Sequence, residues 1–272
     1  MKPAPVFVFV QFLIMIMFSC QLIAQESVPP QPRGGNWLVK QFIEEEMIYP
    51  EEALKKSIEG DVILDFIVKE QGTVEDLSIR EPVDALLEAE ALRIFKFIIW
   101  QPAIYRGKAI DSKSTLEILF NIKRYKRACR ERGYQSFPMP DIPVDSSGSV
   151  YQYRYTEKAP VPVFQSDKMN LQLFLAENFS YPEEALRKNI TGVVKLNFII
   201  EPHGRISNLM VVQHLGAGCS EEAIRLIKLL HWKPGMRDGK AVRVNVSVPI
   251  KFGLSEDGSY KVSPAAGGTT FQ

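Results

Sequence analysis

The side chains that could do chemistry are few and scattered. The three histidines, His203, His214 and His231, all lie in the second half of the chain. Their surroundings read as a turn, a loop and a helix end, and their spacing makes no metal-ligand set. Glu44, Glu45 and Glu46, and the pair Glu51 and Glu52, supply carboxylates. Adjacent acids of this kind suit solvent and the positive end of a helix better than acid/base work across a reacting bond. There is no phosphate-cradling glycine loop and no nucleophile set beside a base. The reading is therefore of a protein with no catalytic residues, no metal and no cofactor.

Charge and cysteine usage narrow the partners. The 33 Lys and Arg residues nearly balance the 32 Asp and Glu residues, so no global field draws the chain to nucleic acid. One basic run, Lys123, Arg124, Lys126, Arg127, Arg130 and Arg132, reads as a solvated strand end rather than a site for an anionic partner.

At the N-terminus, Lys2 is followed by an apolar run from Val6 to Phe18 broken only by Gln11, and then by Ser19, Cys20 and Ala24. This is the layout of an export signal, assigned to residues 1–24. The run is shorter than the roughly 20 residues of a spanning helix. Cleavage after Ala24, retention as a membrane anchor, and lipid modification of Cys20 all stay open. An exported chain could pair its other two cysteines, Cys129 and Cys219, or bury them as free thiols, and both readings stand.

The elements that would position any site come in two copies. Tyr49-Pro50-Glu51-Glu52-Ala53-Leu54 returns as Tyr181-Pro182-Glu183-Glu184-Ala185-Leu186, 132 residues further on. The register then holds without a gap through Gly60 and Gly192, Phe66 and Phe198, Gly72 and Gly204, Trp100 and Trp232, Pro102 and Pro234, and Phe120 and Phe252. So long a period belongs to two domains, each with its own core. Residues 34–123 form the first and 161–255 the second. Residues 124–160, with Pro138, Pro140, Pro143, Ser146, Ser147 and Gly148, read as a flexible linker, and residues 256–272 as a flexible tail. Within the linker, Tyr151, Tyr153 and Tyr155 alternate with polar residues as in a short strand of unknown partner.

In the second copy, Pro182, Glu183 and Glu184 open a helix. Val194, Leu196, Phe198 and Ile200 alternate as a strand, and Pro202-His203-Gly204 turns into a second strand from Ile206 to Val212. Ser220 is read as the cap of a helix carrying Ala223, Ile224, Leu226, Ile227 and Leu230. A last strand sets Val242, Val244, Val246 and Val248 on one face and Arg243, Asn245 and Ser247 on the other. Pro249, which lacks an N–H, argues that this strand lies at a sheet edge.

In order and spacing, Tyr181 to Ala185, Gly192 to Phe198, Trp232-Lys233-Pro234-Gly235, Gly239-Lys240 and Pro249 to Phe252 resemble the C-terminal domain of TonB-type energy transducers, here in tandem. The resemblance implies an α+β fold in which each copy is a three-stranded antiparallel sheet with helices on one face. It also implies a periplasmic protein whose last strand docks an extended segment of an outer-membrane receptor by strand addition. Arg243, Val244, Asn245, Val246 and Ser247 would form that edge. The first copy departs from the pattern, with Glu117 in place of Pro249 and Gln101 in place of Lys233, which makes the second copy the expected docking copy. Dimerisation through an open edge is a further expectation.

Contact with an inner-membrane motor belongs to the same resemblance, but the family's anchor typically carries Ser and His, and this leader has no His. The arm from Glu26 to Pro32 is short, reaching roughly 25 Å at most. A motor-independent docking or assembly module with a cleaved leader is the alternative.

Overall fold

The computed structural model describes residues 27–133, 141–164, 166, 168–255 and 258–267. The leader and Cys20 lie outside them. In chain order the strands and helices are β1 (Ser27–Val28), β2 (Gln31–Pro32), α1 (Gly35–Glu46), α2 (Glu51–Lys55), β3 (Gly60–Val68), β4 (Val74–Ile79), α3 (Ala85–Phe95), β5 (Trp100–Gln101), β6 (Ala103–Tyr105), β7 (Lys108–Ile110), β8 (Ser112–Phe120) and α4 (Ile122–Arg132). There follow β9 (Val150–Gln152), β10 (Val161–Val163), α5 (Leu171–Asn178), α6 (Glu183–Arg187), β11 (Gly192–Ile200), β12 (Ile206–Gln213), α7 (Cys219–Lys228), β13 (His231–Lys233), β14 (Gly235–Arg237), β15 (Lys240–Leu254) and β16 (Tyr260–Pro264). The fold is α+β, and the two copies repeat one element order.

By contact density the described chain divides into two units, one of residues 27–31, 65–78 and 100–115, the other holding the remainder. In the smaller unit β1 pairs antiparallel with β6, and β6 with β7. There the Phe66 and Trp100 rings lie 4.5 Å apart. The larger unit holds the second copy's core, in which Val194, Leu196, Phe198 and Ile200 of β11 and Val244, Val246 and Val248 of β15 meet Ala223, Leu226 and Ile227 of α7. Alternation of apolar residues along β11 and β15 forces this face inward, as the sequence pattern requires.

The first copy keeps the three-strand order β4-β3-β8. The second has the same order in β12-β11-β15 and is then widened, because β14, β9 and β16 also pair with β15. Strand β16 falls where a flexible tail was expected. Its register runs Ile250 with Pro264 to Leu254 with Tyr260, and Val262 is buried, which is what holds the segment to the sheet. The basic run is a helix, α4, and not a strand end. Asn121 caps it, accepting a hydrogen bond from the Arg124 N–H at 2.9 Å, and Tyr125 and Cys129 form its buried face. Ser220 is not the cap of α7. Gly218 precedes that helix, and the Ser220 hydroxyl donates to the Leu215 carbonyl at 2.9 Å.

Both copies are tied down by the same side chains. The Tyr49 hydroxyl donates to the Ile58 carbonyl at 2.5 Å, and the Tyr181 hydroxyl to the Ile190 carbonyl at 2.7 Å. Glu90 accepts the Ile48 N–H at 2.7 Å and pairs with Arg93, while Glu222 accepts the Ser180 N–H at 2.7 Å and pairs with Arg225. Each buried carboxylate thus fixes the chain just before the Tyr-Pro step and is neutralised one helical turn later, which satisfies the rule that buried charge be paired.

Candidate functional site

The strand Lys240–Leu254 reaches its position through its register with β11, which runs from Gly192 opposite Phe252 to Ile200 opposite Val244. Val244 and Val246 are fully buried, as the alternation predicts. The expected open edge at Arg243–Ser247 is closed over its first three residues. On the side away from β11, Val150, Tyr151 and Gln152 pair in parallel with Arg243, Val244 and Asn245. Further along, β16 pairs with Ile250–Leu254, and the Ala265 N–H donates to the Pro249 carbonyl at 3.0 Å. Val246 and Ser247 lie between these two partners. Pro249 therefore does not mark the rim of the sheet. Its carbonyl and its missing N–H share the side of β15 away from β11, so its partner strand β11 loses no bond.

The polar residues of this edge are turned to other uses. Arg243 is 8% exposed and its guanidinium grips Glu201, itself 1% exposed, with Nε and Nη2 each 2.9 Å from a carboxylate oxygen. Nη2 also donates to the Phe97 carbonyl at 2.9 Å, and Nη1 to the Gly148 carbonyl at 3.2 Å. Ser207 donates its hydroxyl to Glu201. Asn245 accepts from Arg33 Nη2 at 2.9 Å, and the same nitrogen donates to Asn197. An arginine in a row of valines reads as a solvent-facing group, but Ile200 faces Val244, so Glu201 falls beside Arg243.

Residues 32–64 and 79–99 of the first copy belong to the same unit as the second copy, and the two pack together there. The Ile99 N–H donates to Asn208 Oδ1 at 2.7 Å, and Asn208 Nδ2 to the Phe97 carbonyl at 2.7 Å. Gly34, at φ 87°, lets the chain pass so close to β12 that a Cβ would sit 2.0 Å from the Leu209 carbonyl oxygen. Glu46, 1% exposed, meets Arg93 at 2.8 Å, His203 Nε2 at 3.3 Å and Arg205 at 3.5 Å. Burial by itself would raise the Glu46 carboxyl, but His203 and Arg93 outweigh it and hold the group below its ordinary range. His203, read from sequence as a turn residue, is thus an interface residue, while His231 is exposed in β13.

The first copy presents a contrasting edge. Strand β8 has β3 as its one strand neighbour among the described residues. Leu116, Ile118 and Phe120 are buried, whereas Lys113, Thr115, Glu117 and Leu119 are exposed. By the internal repeat, Ser112–Thr115 corresponds to Val244–Ser247, and Glu117 to Pro249. Among the described residues, the copy expected to be the poorer docking element has the strand with fewer strand neighbours.

Elsewhere, α4 with Leu54, Ser57 and Glu59 bounds an open cavity of about 950 Å³, rimmed by Lys123, Lys126 and Arg130. Cys129 and Cys219 are free and buried. Burial pushes the Cys219 thiol up, and Glu221 adds to the shift. No helix among the described residues is long and apolar enough to cross a membrane.

Neither the curated proteins nor the solved structures contain a match to this chain. The family model for the Gram-negative bacterial TonB protein C-terminal region matches residues 45–122 and again residues 177–254, which together make up more than half of the sequence. Each match begins just before the Tyr-Pro step and closes at or within two residues of the end of β8 or β15. The chain belongs to the TonB C-terminal family, carries its domain twice, and is a TonB-like protein of the cell envelope.

Proposed function

We propose that this protein works in TonB-dependent transport by docking extended segments of outer-membrane receptors on its strand edges in the periplasm. The observation that carries the reading is that β15 already accepts an added strand, Val150–Gln152, along Arg243–Asn245. Its counterpart β8 has a strand on one side alone among the described residues. A strand edge offers N–H and C=O groups that an extended partner satisfies, while alternate side chains select it. On β8 those selecting side chains are Lys113, Thr115, Glu117 and Leu119. On β15 the docking residues are Arg243, Val244, Asn245, Val246 and Ser247, reached when Val150–Gln152 leave.

The test is site-directed photo-crosslinking in cells from Glu117 and Leu119 of the full chain. Adducts at the N-terminal segment of an outer-membrane receptor are expected from both positions, and those from Glu117 are lost on Leu119→Pro while folding persists. Adducts elsewhere on the receptor, or none from either position, would sink the reading.

A further inference from the structure

Within the segment joining the two copies, residues 143–152 lie along the second copy in a way that a connector has no need to. Before β9, the Ala241 N–H donates to the Pro143 carbonyl at 2.8 Å, and the Asp145 N–H donates to the Ala241 carbonyl at 2.9 Å. The Asp145 carboxylate then accepts from the Ser147 N–H at 2.9 Å and from the Tyr151 hydroxyl at 3.2 Å, folding the turn that delivers β9. After β9 the chain leaves through a single 3-10 turn, Tyr153–Tyr155. The Tyr151 ring lies under the Arg237 guanidinium at 4.7 Å and packs against the core that holds Val244 and Val246.

We propose that Val150–Gln152 is a tethered stand-in for the partner of this edge. It lowers the edge's apparent affinity and displays the partner's form: an extended segment running parallel to Arg243–Asn245, with an aromatic residue opposite Val244 and a polar one opposite Asn245. This rests on the docking role proposed above. The flanks are pinned at Ala241 and Met236, but within β9 itself none of the three residues is buried and Gln152 is exposed. Three paired residues span only about 10 Å of strand. Their advantage over an outside strand is the tether, which supplies an effective concentration in the millimolar range. A partner with the same backbone bonds competes against that concentration, so its apparent dissociation constant rises as the open fraction falls.

The experiment uses the full chain and a fluorescent synthetic peptide copying this chain's own Gly148–Arg154. Binding by anisotropy is compared between the native chain and a variant carrying Val150→Gly, Tyr151→Gly and Gln152→Gly. The variant is expected to bind the peptide at least tenfold tighter, and restoring Tyr151 alone should recover part of the block. Equal affinity in the two chains would overturn the proposal, as would no binding to a variant whose urea midpoint shows it folded. A variant that unfolds is replaced by amide exchange on the native chain. Exchange at Arg243 and Asn245 much faster than at Val194–Phe198 supports the proposal, and equal protection overturns it. Because the probe is the chain's own sequence, failure of receptor crosslinking at β8 sinks the docking role without touching this result, and the converse also holds.

Discussion

Replacing Arg243 by methionine separates a structural arginine from a docking one. With Arg243 gone, Glu201 keeps the Ser207 hydroxyl but loses its cation while remaining 1% exposed. Removing one partner of a buried pair costs about 3–5 kcal/mol, because the other charge stays buried without compensation. A polar group on an open edge would cost within about 0.5 kcal/mol. The two accounts thus differ several-fold in one number. Urea unfolding followed by the fluorescence of the buried Trp100 and Trp232 measures it. The double variant, Arg243→Met with Glu201→Leu, should recover much of the loss, since an apolar pair of similar volume often matches a buried ion pair. The bonds from Arg243 to the Phe97 and Gly148 carbonyls stay broken in both variants, which keeps recovery incomplete. A loss under about 1 kcal/mol for the single variant, or a double variant no better than the single, would refute this reasoning.

Acid should loosen the packing of the two copies. The folded Glu46 carboxyl lies below its ordinary 4.5, so its contribution is complete above that pH and is lost as pH falls through the folded value. The groups facing it are Arg93, His203 and Arg205, and Glu46→Gln should flatten the acid limb of urea midpoints taken from pH 7 to pH 3. Gly34→Ala should lower the thermal midpoint, since the left-handed backbone alone costs roughly 1–2 kcal/mol and the Leu209 carbonyl must also move. Glu90→Gln and Glu222→Gln should cost similar amounts, about 1.5–3 kcal/mol each in chemical denaturation, because each carboxylate bonds one N–H and one arginine in the same geometry.

The repeat was legible because its shared residues are held by local geometry. A Cβ on Gly72 would meet the Trp100 carbonyl oxygen at 2.9 Å, and one on Gly204 the Trp232 carbonyl oxygen at 2.2 Å, so both positions require glycine. The apolar faces of β11 and β15 were legible from alternation alone. Less so was anything set by pairing at a distance. Tyr151, Tyr153 and Tyr155 suggested one short strand, but only Val150–Gln152 is extended and the next three residues turn. The partner of that strand lies 93 positions away, beyond the reach of a local pattern. Arg243 misled for the same reason, because Glu201 approaches it through the β11 register and not through neighbouring sequence. The basic run on α4 looked like a strand end because its two inward residues, Tyr125 and Cys129, are too few to mark a helical face among so many charges.

Amide hydrogen exchange along Ser112–Phe120 tests strand docking most directly. The full chain is measured alone and with synthetic peptides copied from the N-terminal segments of outer-membrane receptors of the same cell. Docking predicts that alternate amides of β8 exchange readily in the free chain and become protected with one such peptide, with Leu119→Pro abolishing the change. Unchanged exchange across the whole strand, with every such peptide at saturating concentration, would contradict it.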